Sequence, residues 1–290
     1  MNKKFSILMA NYNNGEYIKE AIESILKQSY PNWELIITDD ASTDKSVEII
    51  EPFLSDSRIK FFKHEFNLGC GAAKRNCAIN CTGEFLGVLD PDDVLGGKAM
   101  EIVADIFDKY KEVGFVYSNH YECDANLNIK GINKWAGEVN EGSSNLHLSK
   151  STAFGAFRRK CYEKTSGFNP FFKKAVDKDI IYKLEEVTKL KFINIPLYYY
   201  RMHKNSISLG RNAQKASAYN ILAKYDAYKR RIGTAIPNLT RDEIANELLL
   251  GSVKFLLSFS FILFFRLFLE SVKIKPINFS GYFKLLKKMI

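Results

Sequence analysis

The stretch GEFLGVLDPDDVL, residues 83–95, runs from an apolar segment straight into three carboxylates within four positions. Its first part, GEFLGVL, is hydrophobic on both faces of an extended chain, the pattern of a central strand in a sheet covered on two sides. Asp and Pro are ordinary turn residues, and one or two Asp would suffice to end such a strand. Three so close repel one another, and such a cluster holds together most easily when a cation or basic side chains neutralise it. It lies at the carboxyl end of the strand, where open α/β sheets keep their ligand sites. A metal site on an α/β scaffold is the expectation.

Upstream, the chain alternates strand and helix. FSILMA (5–10), WELIITDD (33–40) and RIKFFKH (58–64) read as strands. EYIKEAIESILKQ (16–28) places Ile18, Ala21, Ile22, Ile25 and Leu26 at helical spacing, and GAAKRNCAIN (71–80) reads as a further helix. Ser42 or Thr43 is a candidate cap for a helix in DKSVEIIEPFL, limited by Pro52. The alternation predicts a mostly parallel sheet with right-handed crossovers, a nucleotide-binding type of scaffold. Downstream, a helix at 99–110 and a strand at 113–123 precede a polar excursion from Asp124 to Lys150. Regular elements resume at 151–159, with a helix at 177–189, a strand at 191–201 and helices near 211–231 and 240–250.

With 290 residues, 46% of them hydrophobic, the chain has material for one large domain or a domain with an appendage. Five cysteines without paired C-x-x-C spacings indicate neither a disulfide framework nor a zinc site, and fit a reducing cytosol. The amino terminus lacks the longer apolar stretch and small-residue cleavage site of a signal peptide. The formal charge of +9 is uneven: residues 251–290 carry seven Lys or Arg against Glu270, a net +6, leaving +3 for the rest. No basic stripe with interleaved aromatics crosses the body, which argues against nucleic acid as a partner. Within the basic tail, FLLSFSFILFF (255–265) is an apolar run between Lys254 and Arg266. As a helix it would span about 16 Å of the roughly 30 Å hydrocarbon layer of a membrane. A helix lying in an anionic membrane surface is the expected role, and one closing a core or a subunit interface is the alternative.

Four stretches combine in order: ILMANYNNGEYIKEAIESILKQSYPNWELIITDDASTDKS, NLGCGAAKRNCAINCTGEFLGVLDPDD, TSGFNPFFKKAVDKDIIYKL and YYRMHKNSIS. Together they resemble a family 2 glycosyltransferase of the GT-A fold over about residues 4–208. The resemblance implies an α/β fold, a Rossmann-like and mostly parallel sheet flanked by helices. It divides the chain into a nucleotide-sugar and acceptor-binding catalytic domain at 1–208 and a helical extension at 209–290. It places Tyr12 and Asn13 against the nucleotide base and has Asp39, with Asp40 beside it, accept from the base N–H, which favours UDP or dTDP. Asn67, Gly69, Ala73, Arg75 and Asn76 resemble the family's N-x-G-x-x-x-A-R-N signature, with Arg75 on the nucleotide or on Asp90. DPDD resembles its D-x-D motif, with Asp90 on the ribose, Asp92 on a divalent cation and Asp93 in support; oxygen ligands suit Mn²⁺ or Mg²⁺.

The family's E-D-x-D stretch, which carries the general base, is matched by Val176-Asp177-Lys178-Asp179, so that Asp177 is the implied base, Asp179 supports it, and the Glu is missing. Arg201 and His203, in the Y-R-x-H-x-x-S ending, would reach the diphosphate or the metal. Each of these residues also has a plainer reading: Tyr12 as a strand-end aromatic, Asp39 and Asp40 as turn or cap residues, Arg75 as a solvent-facing helix residue, Asp177 and Asp179 as an acidic first turn, His203 as structural. The implied activity is metal-dependent, inverting transfer of a sugar from a UDP- or dTDP-sugar to a glycan or lipid-linked acceptor, in surface-polysaccharide or glycolipid synthesis at the cytoplasmic face of a membrane. The rivals are a membrane-associated sugar-nucleotide binding protein without turnover, supported by Val176, and a sugar-1-phosphate nucleotidyltransferase, which MANYNNGEY does not support.

Overall fold

The computed structural model describes residues 3–151, 154–203, 210–258 and 260–276. In chain order the elements are β1 (Phe5–Asn11), α1 (Ile18–Leu26), β2 (Trp33–Asp39), α2 (Ser46–Ile50), β3 (Ile59–Lys63), α3 (Cys70–Asn80), β4 (Phe85–Val88), β5 (Val94–Leu95) and α4 (Ala99–Lys109). There follow β6 (Val113–Cys123), β7 (Ile129–Ile132), α5 (Asn145–Leu148), β8 (Gly155–Arg158), α6 (Arg159–Tyr162), α7 (Val176–Glu185) and β9 (Lys189–Arg201). Three helices close the described chain: α8 (Gly210–Arg231), α9 (Arg241–Leu257) and α10 (Phe261–Ile274).

A single sheet holds the strands in the order β3-β2-β1-β4-β8-β6-β9-β5, with β7 beside β6. Its first half is parallel, as the alternation predicts. The second half is mixed: β8 inserts antiparallel between β4 and β6, β9 returns parallel to β6, and β5 pairs antiparallel with β9. Both faces are covered, which is why the central strands are apolar throughout. Phe5, Ile7, Met9, Leu35 and Ile37 point to one core with α1 and α4, through Ile18, Ile22, Val103 and Phe107. Leu8 and Ile36, on the alternate positions, point to the other core, shared with α3, α7, α8, α9 and Leu267 of α10. Arg231, fully buried, donates to Tyr182 O, Glu185, Ser144 and Pro237 O and so fastens the end of α8 to α7.

Two local expectations change. The helix after β2 begins only at Ser46, with Lys45 at its cap position and no capping side chain; Ser42 is drawn to Asp39 instead. The 255–265 run is not one helix. α9 ends at Leu257, the Ser260 N–H bonds back to Phe255 O, and α10 folds back antiparallel, with Ser271 Oγ donating to Ala245 O. Gly251 makes the crossing possible, since a Cβ there would sit 2.9 Å from Leu267 Cδ1 and 3.0 Å from Ile221 Cγ2. Among the described residues no helix is long and apolar enough to cross a membrane. The serine-rich end of the Y-R-x-H-x-x-S match and residues 277–290 of the basic tail lie outside the described residues.

Candidate functional site

The DPDD turn begins where β4 parts from β1, at the Leu89 N–H bond to Leu8 O, and closes through Asp93 N–H to Asp90 O. It gives its three carboxylates three different surroundings. Asp90 is half-exposed and takes Lys74 Nζ at 2.9 Å. Asp92 lies 3.0 Å from His203 Nε2 through its Oδ2. Asp93 is buried, accepting from Tyr198 Oη and from the Arg201 N–H, both at 2.7 Å. β9 and the two residues after it thus deliver Tyr198, Arg201 and His203 to the turn from more than a hundred residues away.

Burial first, then the Asp90 charge, raises the pKa of Asp92, and the His203 contact offsets only part of this. Burial, followed by the charges of Asp92 and Asp90, pushes Asp93 well above the carboxylate range against the donors Arg201 and Tyr198. Burial, with Asp93 beside it, also raises Tyr198. Burial and mutual repulsion thus disfavour the charged forms of Asp92 and Asp93. Among the described residues no three His, Cys, Asp or Glu side chains close around a point. Asp92 and His203 can supply two donors to a cation, an oxygen and an imidazole nitrogen, and the remainder of a coordination shell would come from ligand and water.

The basic group on Asp90 is Lys74, which the sequence reading passed over, and not Arg75. Arg75 points outward from α3 and donates through Nη1 to Ser166 O and Phe168 O, at 3.2 and 3.1 Å, pinning that turn. Burial alone would lower the Lys74 pKa, but Asp90, with Cys70 and Asp177, raises it. A signal was present: Cys70, Lys74, Cys77 and Ala78 share the inward stripe of α3, and a lysine on such a stripe needs a buried partner. The amino end of α3 is pressed against 169–172, where the Gly71 N–H donates to Phe172 O and a Cβ on Gly71 would fall 2.1 Å from Asn169 O.

Beyond β1, Tyr12 is half-exposed and Asn13 adopts φ 54°, its Oδ1 accepting from the N–H groups of Thr43 and Asp44. Asp39 is fully buried. Its oxygens accept from Asn11 Nδ2 at 2.7 Å and from Ser42 N and Oγ, so it anchors the loop beneath Tyr12 and presents no exposed surface to a base. Asp40 does the same for the next loop, holding His64 Nδ1 and the N–H groups of Leu68 and Gly69 and leaving Asn67 exposed at the rim.

Arg201 is also turned away from the role expected of it. Buried to 2% exposure, it donates to Asp92 O and Ala125 O, pairs with Glu20, and lies over the Tyr17 ring at 4.7 Å, and so braces the turn against α1. Tyr17 also packs on His203, with ring centroids 4.6 Å apart; neither Tyr17 nor Glu20 was foreseen.

On the far side of α3, Ala175 in the left-handed region (φ 54°) starts α7. Val176 packs into the core, Asp177 is exposed on the first turn, and its charge reaches Lys74 and Cys70, the two side chains that Asp90 also reaches. Asp179 does not support this site. Two residues further round the helix, it is buried on Lys183 at 2.6 Å, and Lys183 in turn donates to Gly167 O.

Residues 6–180 match the family model for glycosyl transferase family 2. A chondroitin synthase of Escherichia coli is 31% identical over 221 residues, which are 75% of this chain and 32% of that protein. The chain spans about a third or less of the chondroitin synthases it matches. Among solved structures, S. aureus TarS 1-349 in complex with UDP-GlcNAc superposes with a TM-score of 0.64 at 18% identity, over 89% of this chain and 73% of that one. The mannosyltransferase PcManGT from Pyrobaculum calidifontis, in complex with GDP-Man and Mn2+, gives 0.59 at 14% identity, over 99% and 79%.

Proposed function

The chain belongs to glycosyl transferase family 2, and on that premise we propose that it moves a sugar from a UDP- or dTDP-sugar to a hydroxyl of a glycan or lipid-linked acceptor, inverting the anomeric carbon, in surface-polysaccharide or glycolipid synthesis. The observation that carries this reading is the convergence on one end of the parallel sheet of the three-carboxylate turn, the Asp92–His203 pair and the exposed Asp177. Asp90, held by Lys74, would accept from the ribose hydroxyls, and the exposed ring of Tyr12 would pack on the base. Asp92 and His203 would hold Mn²⁺ or Mg²⁺, which when bound supplies positive charge to the diphosphate leaving group. Asp177 takes the acceptor proton as that hydroxyl attacks the anomeric carbon and the bond to the diphosphate breaks. The UDP-GlcNAc complex of the TarS neighbour and the chondroitin synthase relatives support a UDP-sugar donor and a polysaccharide product. Val176 gives a non-catalytic reading its support; it is buried while Asp177 is exposed, which leaves Asp177 accessible to an acceptor.

Calorimetric titration with UDP, dTDP, GDP and CDP, each with and without Mn²⁺, followed by transfer assays with the matching sugars, tests the proposal. Metal-dependent binding of UDP or dTDP is expected; absence of binding to all four would overturn it, and a preference for GDP would overturn the donor class. Asp177→Asn should lower turnover roughly 10²–10⁴-fold while UDP binding holds; unchanged turnover removes Asp177 from the role of base.

A further inference from the structure

The described part of the helical extension carries an inside-out helix. α10 turns Leu267 and Ser271 inward against α9, yet its outward face is also apolar. Phe261, Ile262, Phe265, Leu269 and Val272 are exposed, from 36% at Val272 to 86% at Ile262. At about 100° per residue all five fall within one arc of about 100°, and the exposed Arg266 and Lys273 border one edge of it, Lys273 lying 2.9 Å from Glu270 with its side chain 69% exposed. A monomeric soluble surface rarely keeps so many large apolar side chains together.

We infer that this face docks in the plane of an anionic lipid bilayer, the five apolar side chains entering the acyl boundary and Arg266 and Lys273 meeting lipid phosphates. Charge selects this occupant. Residues 251–290 are net +6, so a second copy seated on the same face through a two-fold interface would bring like charges together, whereas anionic headgroups neutralise them. The depth suits an in-plane helix, since α10 is 14 residues long, about 21 Å, and too short to span. The docking face is thus the outer side of α10, which takes in only the second half of the 255–265 run; Phe255, in the first half, is buried in the core. It holds independently of which sugar is moved.

Sedimentation of the full chain with phosphatidylcholine vesicles, with and without a quarter of phosphatidylglycerol, tests it. Wild type is expected to bind the anionic vesicles at least about 10-fold better than the neutral ones, and less in high salt. Ile262→Ser/Phe265→Ser/Leu269→Ser should lose at least about 10-fold of that binding, and Arg266→Gln/Lys273→Gln should reduce the preference for the anionic vesicles; an undiminished preference would overturn the contact of these two side chains with lipid phosphates. Wild-type vesicle binding by the triple variant would overturn the assignment and pass it to residues 277–290. A wild-type dimer that the triple variant dissolves, without binding to vesicles in either, would overturn it in favour of a second copy. Should the triple variant fail to melt cooperatively, an environment-sensitive dye on Ile262→Cys replaces it: a blue shift with anionic vesicles is expected, and none would overturn docking.

Discussion

The two ends of the same parallel strands each hold buried carboxylate, and they treat it in opposite ways. At the amino end Glu34, 1% exposed, receives Ser6 Oγ at 2.7 Å, Thr82 Oγ1 at 2.9 Å, the N–H groups of Thr82 and Gly83, and Lys4 and Lys60 at 3.0 Å. Burial alone would raise its pKa, but Ser6, Thr82, Lys60 and Lys4 outweigh that and bring it down to about 2. Gly83 permits this packing, since a Cβ there would meet Ser6 Oγ at 2.5 Å. At the carboxyl end the same desolvation wins, and Asp92 and Asp93 are raised. A carboxylate saturated with donors ties strands together; a group of carboxylates left short of positive charge is a place prepared for a ligand that brings it.

The largest test of this contrast is Asp92→Asn. It removes one of two candidate metal donors, so turnover is expected to fall about 10³-fold and Mn²⁺-dependent UDP binding to disappear, with the melting temperature unchanged or higher; calorimetry and a thermal melt read both. Glu34→Gln inverts the pattern: stability at neutral pH should drop by roughly 2–3 kcal/mol, with activity kept in the folded fraction. Because the folded pKa of Glu34 is depressed, its contribution is present above about 4.5 and lost as the pH falls towards about 2. The gap between wild type and Glu34→Gln in urea unfolding should therefore close over that window, and a gap that persists at low pH would refute the linkage.

Lys74→Met sharpens the reading of α3. It leaves Asp90 without its cation and should weaken UDP binding about 10-fold, a loss of roughly 1.4 kcal/mol. Arg75→Met, by contrast, should leave binding intact and cost about 1 kcal/mol of stability through the 166–168 turn. Equal effects in the titrations would return Arg75 to the site. The smallest effect is expected from Asp93→Asn. A raised folded pKa means a contribution that fades as the pH rises, so the amide should stabilise the ligand-free protein near neutrality by up to about 1 kcal/mol, seen as a higher denaturation midpoint.

The strand and helix order of the first 120 residues was legible because local pattern suffices there: β1, β2 and β4 are apolar on both faces and α1 has helical spacing. β8 was harder to place, since GAFR is four residues whose antiparallel neighbours, β4 and β6, are chosen by the completed sheet. The DPDD turn, His203 and Asp177 were readable as motif residues, and the structure brings the first two into contact. Arg75, Arg201, Asp39 and Asp179 were read from the same set of motifs. In the structure each of them holds protein groups instead, because a side chain's direction around a helix or strand depends on partners that a linear motif does not contain.

By itself, then, the sequence determined the alternating scaffold, the place of the acidic turn at the end of a buried strand, and the family. These follow from hydrophobic period and motif order, which act over a few residues. Only the tertiary structure decided that Lys74 and not Arg75 faces Asp90, that Arg201 spends its donors on Glu20, Ala125 and the turn, and that the 255–265 run breaks into a hairpin with an apolar face outward. Those outcomes depend on which buried charges find partners across long separations, and on the break after Leu257 that lets α10 turn back over Gly251; both are settled when the elements pack.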